Sequence, residues 1–401
     1  MTSESMRSTK VKVREPPRDL VTLTNFKYTD NPHPMVECTV PGLSQEAFDR
    51  EWNPKATSIM WVDAVTRRCL LHKPFPTQKN SSDQTQMINK MTLSDTMKTS
   101  LSLSEQNSDE GSHANSENAG EDTSNNAGTV PATRSVHPNE ERYFLDWPRL
   151  EKDFFAFGSC VEISLSRALY DPAVPKWPLD FRLTLGHVGP CSVAKTEQYY
   201  ARLGGGERAL LWSNRHQRVI VDKKTRKPAR VPAWFLNKYQ GRGCLEQGIT
   251  FRPFKRPAVT YCHRVQVQWS ETDEYGHANW ASYMKWVTDA LHAALLPKKT
   301  GNSTTTNPSQ EKSAQGQPGG QSQQTSIRGA GALCGITEET VRRGLAKFQV
   351  TYYRECLEGD QIQAHVWQDK RERDQGPVYG CVMKAGEEIC EIKLWYFTDD
   401  E

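Results

Sequence analysis

RVQVQWSETDEYGHANWASYMKWVTDALHAAL, residues 264–295, contains a strand pattern, a polar loop and a helix pattern in direct succession. Its first six residues alternate apolar and polar side chains, which is the pattern of a half-buried strand. From Trp280 to Leu295 apolar residues recur at the spacing of one helix face, and Pro297 ends the helix. The loop between them crowds acids, a glycine, a histidine and an asparagine. The segment therefore predicts a strand and an amphipathic helix joined by an unusually polar loop.

Four further strand patterns follow this helix in the second part of the chain. They read KFQVTYYREC, DQIQAHVWQ, VYGCVMKAG and EICEIKLWYF, and glycine-containing turns lie between them. Consecutive strands joined in this way favour an antiparallel sheet. One long helix combined with such a sheet predicts an α+β unit in which the sheet wraps around the helix.

Two segments, residues 77–137 and 298–329, are rich in Ser, Thr, Asn, Gln and Gly and contain no aromatic residue. Because they can bury too little apolar surface to offset their ordering entropy, the sequence predicts disordered inserts. Without them the chain divides into two blocks, residues 21–240 and 250–401, preceded by a flexible tail of residues 1–20. Each block begins with a strand and a helix, then its insert, then several strands.

The two blocks can be aligned with each other. A shift of 224 positions places Asp49 on Asp273, and it also aligns the points at which the two inserts open. A separate shift of 187 positions places Arg167 on Arg354. Since the shared insert position is independent of the aligned residues, the sequence predicts an internal duplication, with two copies of one fold.

Composition and charge restrict the class of protein. A chain of 401 residues without a long apolar run is expected to be soluble, with no membrane span. Its first residues lack a signal-peptide core and carry acids, so a cytoplasmic location is expected, with a mitochondrial one less favoured. The net charge of +3 is too small to indicate nucleic acid. Ten cysteines without a CxxC pair or metal-type spacing predict neither a disulfide framework nor a metal site.

The position of the polar loop at a helix start has chemical consequences. Backbone N–H groups and the positive end of the helix dipole gather beside Gly276, His277 and Asn279 if the helix begins there. Asn279 is expected to be the N-cap, and Gly276 allows the backbone to approach a ligand closely. Such a site can polarise a carbonyl group and hold the oxyanion formed when it is attacked. A nearby carboxylate could serve as nucleophile or general base.

WSETDEYGHANWASY, residues 269–283, resembles the active-loop signature of hotdog-fold thioesterases, in which His follows Asp by four residues and Asn begins a helix. YYREC, residues 352–356, is similar to a Tyr-Arg-Arg-Glu-Cys strand of the acyl-carrier-protein thioesterase branch. FRLTLGHVGPCSV (181–193) and VIVDKKTRKPARVP (219–232) resemble the central and closing strands. The resemblance implies a tandem (double) hotdog, closest to the acyl-ACP thioesterase or 4-hydroxybenzoyl-CoA thioesterase-like branch, with each antiparallel sheet wrapped around one long helix.

The same resemblance implies a hydrolase that releases a carboxylic acid, expected to be a fatty acid of lipid metabolism, from acyl-CoA or acyl carrier protein without metal or organic cofactor. It gives the catalytic roles to Asp273, His277 and Glu355. Glu355, on a strand beside the helix start, would attack the thioester carbon or activate water, and His277 would hold that group and help the thiolate leave. Asp273 would position the loop or be the catalytic carboxylate itself. Backbone N–H groups around Gly276 and His277 would bind the oxyanion.

Two positions of the loop depart from the family pattern. Tyr275 stands where the carrier-protein branch has Asn, and Trp280 replaces the second Asn of its histidine motif. In the first block the positions of the histidine and the glutamate hold Asn53 and Ala168. A single active site in the second block is therefore expected, with the first block supplying packing and the acyl pocket.

Each feature also has a structural interpretation, and other functions stay open. Asp273 could cap the helix, His277 could be a hydrogen-bonded structural histidine, and Glu355 could pair with Arg354. DKKTRKPAR, residues 222–230, is expected to form a solvated turn, or alternatively a landing patch for phosphates of coenzyme A or for an acidic carrier protein. The competing functions are a catalytically silent acyl-CoA-binding or scaffold protein and a hotdog hydratase or dehydratase. The chain is expected to act as a monomer with paired hotdogs or as a homodimer.

Overall fold

The computed structural model describes residues 23–75, 142–273, 276–296, 332–369, 371 and 376–399. The predicted tail (1–20), both predicted inserts and Tyr275 lie outside these described residues. The chain forms two compact units, of which the smaller is Pro74–Arg142. In that smaller unit the Phe75 N–H donates to the Arg142 carbonyl oxygen at 2.7 Å. All helices and strands given below belong to the larger unit.

Eleven described strands form one sheet, in which every neighbouring pair is antiparallel. The strands are β1 (Thr24–Thr29), β2 (Met35–Val40), β3 (Phe154–Leu165), β4 (Leu179–Val188), β5 (Ser192–Arg202), β6 (Arg208–Asp222), β7 (Tyr261–Gln266), β8 (Leu345–Tyr352), β9 (Gln361–Gln368), β10 (Val378–Lys384) and β11 (Glu387–Tyr396). The described α-helices are α1 (Ala56–His72), α2 (Trp147–Leu150), α3 (Ala233–Tyr239), α4 (Trp280–Leu295) and α5 (Glu338–Arg342). The hydrogen-bonded order of the strands is β1-β2-β4-β5-β6-β3-β8-β11-β10-β9-β7.

The strand order is the same on both sides of the contact between β3 and β8. Moving outward, β6, β5, β4 and β2 follow on one side, where β1 is an additional edge strand, and β11, β10, β9 and β7 follow on the other. At the centre Glu162 pairs with Gln349, and these residues are separated by the 187 positions of the sequence alignment. The long helices α1 and α4 follow β2 and β7 and contact each other. We refer to the part from β1 to α3 as the first half and the part from β7 to β11 as the second half.

Helix α4 buries the face that its apolar spacing predicts. Tyr283, Met284, Val287 and Leu291 are at most 3% exposed. A Cβ atom built on Gly380 of β10 would lie 2.5 Å from Val287 Cγ1, so the glycine lets the helix approach the sheet closely. The interior of the second half is therefore a tightly packed apolar core.

The predicted fold class, α+β with a large antiparallel sheet and few helices, is confirmed. The sheets predicted for the two blocks join into one, because β3 and β8 pair directly through their backbones. Within the described ranges, no helix has the length and apolar character that crossing a membrane requires.

Glu388 of β11 is a partly buried carboxyl group beside a second acid, Glu391. Its Oε1 atom has no hydrogen-bond partner among the described residues. Burial, followed by the negative charge of Glu391, raises the pKa of Glu388 from its ordinary 4.5 to about 7, against the opposing effect of Arg256. Between these two values the folded chain retains a proton that the unfolded chain has released.

We therefore expect the contribution of Glu388 to the free energy of unfolding to be greatest below pH 4.5 and to fall as the pH rises towards about 7. Glu388→Gln removes the titration and should make the protein more stable than wild type above neutral pH, by about 1 kcal/mol after allowance for solvent screening. Urea unfolding at a series of pH values measures this difference. The exposed Glu207→Gln serves as the control and should leave the pH dependence of wild type in place.

Candidate active site

The polar loop between β7 and α4 is closed by its own backbone. The Asp273 N–H donates to the His277 carbonyl oxygen at 2.7 Å, and the Gly276 N–H donates to the Asp273 carbonyl oxygen at 3.0 Å. Gly276 has a φ of 75°, a left-handed conformation that glycine adopts without steric strain. The Asn279 N–H then donates to the Glu271 carbonyl oxygen at 2.8 Å. The loop thus returns to its own start before the helix begins.

The Asp273 carboxylate belongs to this loop closure. Its Oδ1 atom accepts a hydrogen bond from the His277 N–H at 3.1 Å. The first half has the same arrangement, in which Asp49 Oδ1 accepts from the Asn53 N–H at 2.9 Å and the Asp49 N–H donates to the Asn53 carbonyl oxygen at 2.9 Å. Since the first-half loop keeps this Asp without a histidine, the Asp is explained by the loop itself. We infer that Asp273 positions His277.

Substitutions of Asp273 separate a positioning role from a chemical one. Asp273→Asn keeps an acceptor oxygen and is expected to retain activity within about threefold. Asp273→Ala and Asp49→Ala remove the same hydrogen bond, and each should lower the free energy of unfolding by about 1 kcal/mol. Urea unfolding and turnover of the thioesters that the resemblance implies measure the two effects. A hundredfold or larger loss of turnover in Asp273→Asn at unchanged stability would instead give the carboxylate a direct part in the reaction.

Helix α4 has the N-cap that the sequence predicts. Asn279 Oδ1 accepts hydrogen bonds from the N–H groups of Ala281 and Ser282 at 3.0 and 3.2 Å. Asn279 Nδ2 donates to the Glu271 carbonyl oxygen at 3.0 Å, which fixes the cap against the loop. The predicted N-cap is confirmed, and it fixes the direction in which α4 leaves the loop.

The expected oxyanion donors are corrected by this geometry. The N–H groups of Gly276 and His277 already donate to Asp273, because the five-residue turn closes on the carbonyl oxygen and carboxylate of that residue. The N–H group of Trp280, the first residue of α4, has no acceptor among the residues that the structure describes. Of the N–H groups at this helix end, the one of Trp280 is therefore left over by the loop and cap hydrogen bonds.

Glu355 lies next to His277 although the two are far apart in sequence. Glu355 Oε1 is 3.6 Å from His277 Nδ1, and the side chains are 37% and 24% exposed. The strand position expected for Glu355 is wrong, since β8 ends at Tyr352 and Glu355 lies in the connector that follows. The connector is held against the loop because the Ala278 N–H donates to the Cys356 carbonyl oxygen at 2.8 Å.

Arg226, from the first half, reaches the same carboxylate. Its Nη2 atom is 3.6 Å from Glu355 Oε2, and its guanidinium lies 4.7 Å from the Phe155 ring centroid. The turn that presents it is built on Asp222, whose Oδ1 accepts hydrogen bonds from the N–H groups of Lys224 and Thr225 at 3.0 and 2.7 Å. The interpretation of residues 222–230 as a solvated turn is confirmed, since residues 223–228 are exposed, and the turn also brings Arg226 to Glu355. The basic composition of this segment was the available signal.

Cys356 follows Glu355 but has a structural environment. The residue is fully buried, and its Sγ atom donates to the Tyr283 hydroxyl at 3.3 Å. Burial raises the pKa of the Cys356 thiol to about 11, and the hydrogen bond with Tyr283 acts in the opposite direction. Because the thiolate is the reactive form, this thiol is a poor nucleophile at neutral pH. Cys356 is therefore a buried packing residue next to Tyr283.

The resulting arrangement is a partly exposed imidazole and carboxylate at the start of a helix, with a guanidinium from the other half of the chain beside them. An imidazole and a carboxylate in this relation can move a proton to or from a bound water molecule or substrate. Within the described ranges, no group of three or more His, Cys, Asp and Glu side chains is placed to hold a metal ion.

No family model matches the chain, and no curated protein matches it. Among solved structures, it is similar to a protein from Lactobacillus plantarum described as an oleoyl thioesterase, at 11% identity and a TM-score of 0.47, covering 92% of this chain and 99% of that one. It is also similar to the 12:0-ACP thioesterase from Umbellularia californica, at 9% identity and a TM-score of 0.47, covering 90% and 97%. An acyl-ACP thioesterase from Bacteroides thetaiotaomicron is similar at 15% identity and a TM-score of 0.38, covering 62% and 78%.

At such identities and TM-scores, the activity of this chain has to be argued from its own residues.

Proposed function

We propose that the protein is a thioester hydrolase that releases a carboxylic acid from acyl-CoA or acyl carrier protein. The observation that carries this proposal is the 3.6 Å approach of His277 Nδ1 to Glu355 Oε1 at the start of α4. The resemblance of residues 269–283 and 352–356 to the thioesterase loop and strand supports the same reaction class. The finer architecture that we propose is a tandem double hotdog, with blocks 21–240 and 250–401 and the catalytic groups in the second.

In the proposed reaction Glu355 accepts a proton from a water molecule while the water oxygen bonds to the thioester carbon. The carbonyl oxygen becomes an oxyanion, which the Trp280 N–H and the positive end of the α4 dipole stabilise. The carbon–sulfur bond then breaks, and the proton passes from Glu355 by way of His277 to the leaving sulfur. The products are a carboxylic acid and a free thiol, so one water molecule is consumed for each thioester.

Arg226 gives the first half a part in this site. Its contact with Glu355 Oε2, opposite the His277 contact to Oε1, holds the carboxylate between two cationic or polar neighbours and fixes its orientation. Lys223, Lys224 and Lys227 belong to the same turn. A basic turn next to the reacting carboxylate supports a substrate whose thiol portion carries phosphate, as coenzyme A and the prosthetic group of a carrier protein do.

The test is release of free thiol from acyl-CoA substrates of short, medium and long chain length, and from acyl carrier protein. Turnover of at least one of them, lost in Glu355→Gln, is the expected result. Hydration or dehydration of the acyl chain would leave the thioester intact, and mass spectrometry of the products distinguishes it from hydrolysis.

The alternative function is acyl-CoA binding without turnover. One observation favours it: the N–H groups of Gly276 and His277 are engaged by Asp273, which leaves fewer oxyanion donors at the helix start. Saturable binding of acyl-CoA with no thiol release on any substrate would select this alternative.

A further inference from the structure

The interior of the first half contains polar side chains where the second half has an apolar core. Lys195, Glu197, Asn214 and His216 face α1 from β5 and β6, and none is more than 4% exposed. They form two adjacent cross-strand pairs, Lys195 with His216 and Glu197 with Asn214. The same ladder positions on β10 and β11 hold Val378, Gly380, Ile392 and Leu394. The fold therefore does not require polar groups at this place.

Helix α1 contributes two charged residues to this cluster. Arg67 Nη1 lies 2.9 Å from Asp63 Oδ2 and 3.3 Å from Glu197 Oε1, and Asn214 Nδ2 donates to Asp63 Oδ2 at 2.6 Å. The 224-position shift places Val287 and Leu291 of α4 at the corresponding positions. Buried charges are unfavourable unless their partners satisfy them fully. A charged cluster that one half has and the other replaces by apolar residues indicates a binding role.

Several buried polar atoms of the cluster have no hydrogen-bond partner among the described residues. They are Arg67 Nε, Lys195 Nζ, Trp212 Nε1, Asn214 Oδ1 and both ring nitrogens of His216. His216 Nδ1 is 3.3 Å from Glu197 Oε1, but the pair is not aligned as a hydrogen bond. Lys195 Nζ lies over the Trp147 ring, 3.4 Å from its centroid. Since buried polar groups are nearly always hydrogen-bonded, these atoms are able to bind the polar group of a ligand.

The chemistry of these atoms specifies the partner. The side-chain nitrogens of arginine, tryptophan and a protonated lysine are donors only, and a neutral histidine adds one more donor. Donors therefore outnumber the acceptors, which are Asn214 Oδ1 and the other nitrogen of His216. A carboxylate is a group that only accepts hydrogen bonds, and it binds most strongly to cationic donors.

Acidic groups around the cluster do not oppose a bound carboxylate strongly. Asp63 is already held by Arg67, Asn214 and the Tyr199 hydroxyl. Burial, followed by the charge of Asp63, raises the pKa of Glu197 well above its ordinary value, which favours its neutral form. Burial, followed by the charges of Arg218 and Arg67, lowers the pKa of Lys195, while Glu197 and Glu151 act in the opposite direction. A bound anion would raise the pKa of this amine.

We propose that this interior binds a carboxylate at the far end of the acyl group, so that the substrates are acyl thioesters with a terminal carboxylate. The inference rests on the proposed hydrolase function. The connection to the active site is Arg67, whose guanidinium lies 5.5 Å from the ring centroid of Trp280, the first residue of α4. Tyr352 also donates to the Trp280 carbonyl oxygen, at 2.9 Å. Trp280 therefore belongs to the helix start and also contacts the polar cluster.

The test compares adipoyl-CoA with hexanoyl-CoA, which have equal chain length and differ in the terminal carboxylate. Wild type should prefer adipoyl-CoA in kcat/KM by at least about tenfold, because a site built for a polar group rejects analogues that lack it. Lys195→Val and His216→Leu copy the residues of the second half and should abolish this ratio. Arg182→Met is the control. It removes the ion pair of Arg182 with Glu37 and should leave the ratio unchanged.

Direct binding keeps the inference testable if a core variant does not fold. Adding adipate to wild type should raise its unfolding temperature saturably, and chloride at equal ionic strength should not. Adipate binding without hydrolysis of any thioester would support the carboxylate site and overturn the proposed hydrolase. Hydrolysis of both thioesters at equal rates, with no effect of adipate, would overturn the carboxylate site and leave the hydrolase standing. In that outcome the cluster holds water only.

Discussion

Glu355→Gln is expected to lower kcat for thioester hydrolysis by about a thousandfold, with little change in KM. The substitution keeps the size of the side chain and one carboxamide oxygen near His277 Nδ1. It removes the carboxylate that takes the proton from water in the proposed reaction. Binding of the thiol portion of the substrate does not depend on that proton. The effect should therefore appear in the chemical step, as measured by thiol release at saturating substrate.

Glu358→Gln is the matched control for this substitution. Glu358 is exposed in the same connector, three residues further along, and is expected to leave kcat within about twofold of wild type. Equal and small losses of kcat in both variants would show that Glu355 takes no part in the reaction. Arg226→Gln adds a second comparison, since loss of the orienting contact should lower kcat by about tenfold, less than loss of the carboxylate itself.

The loop and helix of the site could be predicted because their signals are local. Asn279 caps the helix that begins at the next residue, and Gly276 takes a φ that its lack of a side chain permits. The repeated Asp at positions 49 and 273 was visible in the aligned sequences. Its role in closing the loop was not, because that role depends on which backbone N–H groups the carboxylate meets.

The contacts between distant segments could not be predicted from patterns of spacing. Arg226 and Glu355 belong to different halves, and they meet because β3 and β8 join the two halves into one sheet. The sequence pattern also did not predict that β8 ends before Glu355. Both Tyr353 and Arg354 direct their N–H groups to the Ile389 carbonyl oxygen, which ends the regular ladder.

The polar interior of the first half was missed for a related reason. On β5, Lys195 and Glu197 share the inward face with Tyr199. The outward residues of this strand are also polar or aromatic, so the sequence shows no clear alternation of apolar and polar side chains. An alternation rule that assigns charges to the solvent side gives the wrong face for such a strand. The buried partner Arg67 comes from α1, which is distant in sequence.

His277→Asn places in the second half the residue that the first half has at this point of the loop. Asn53 makes the same backbone hydrogen bonds with Asp49. The variant is therefore expected to have the free energy of unfolding of wild type, within about 0.5 kcal/mol. Loss of the imidazole should nevertheless lower kcat by about a hundredfold, because the proposed proton shuttle between Glu355 and the leaving sulfur needs it. Thermal unfolding and thiol release measure the two effects on the same sample.

The double substitution His277→Asn with Glu355→Gln tests whether these two side chains act as a unit. If they share one proton pathway, the double variant should be about as slow as Glu355→Gln alone, since a pathway interrupted once is not interrupted further. Additive losses would mean that His277 acts independently of Glu355, for example by donating to the carbonyl oxygen, and would contradict the shuttle. The 3.6 Å separation of Nδ1 and Oε1 places the pair close enough for strong coupling, so we expect the non-additive result.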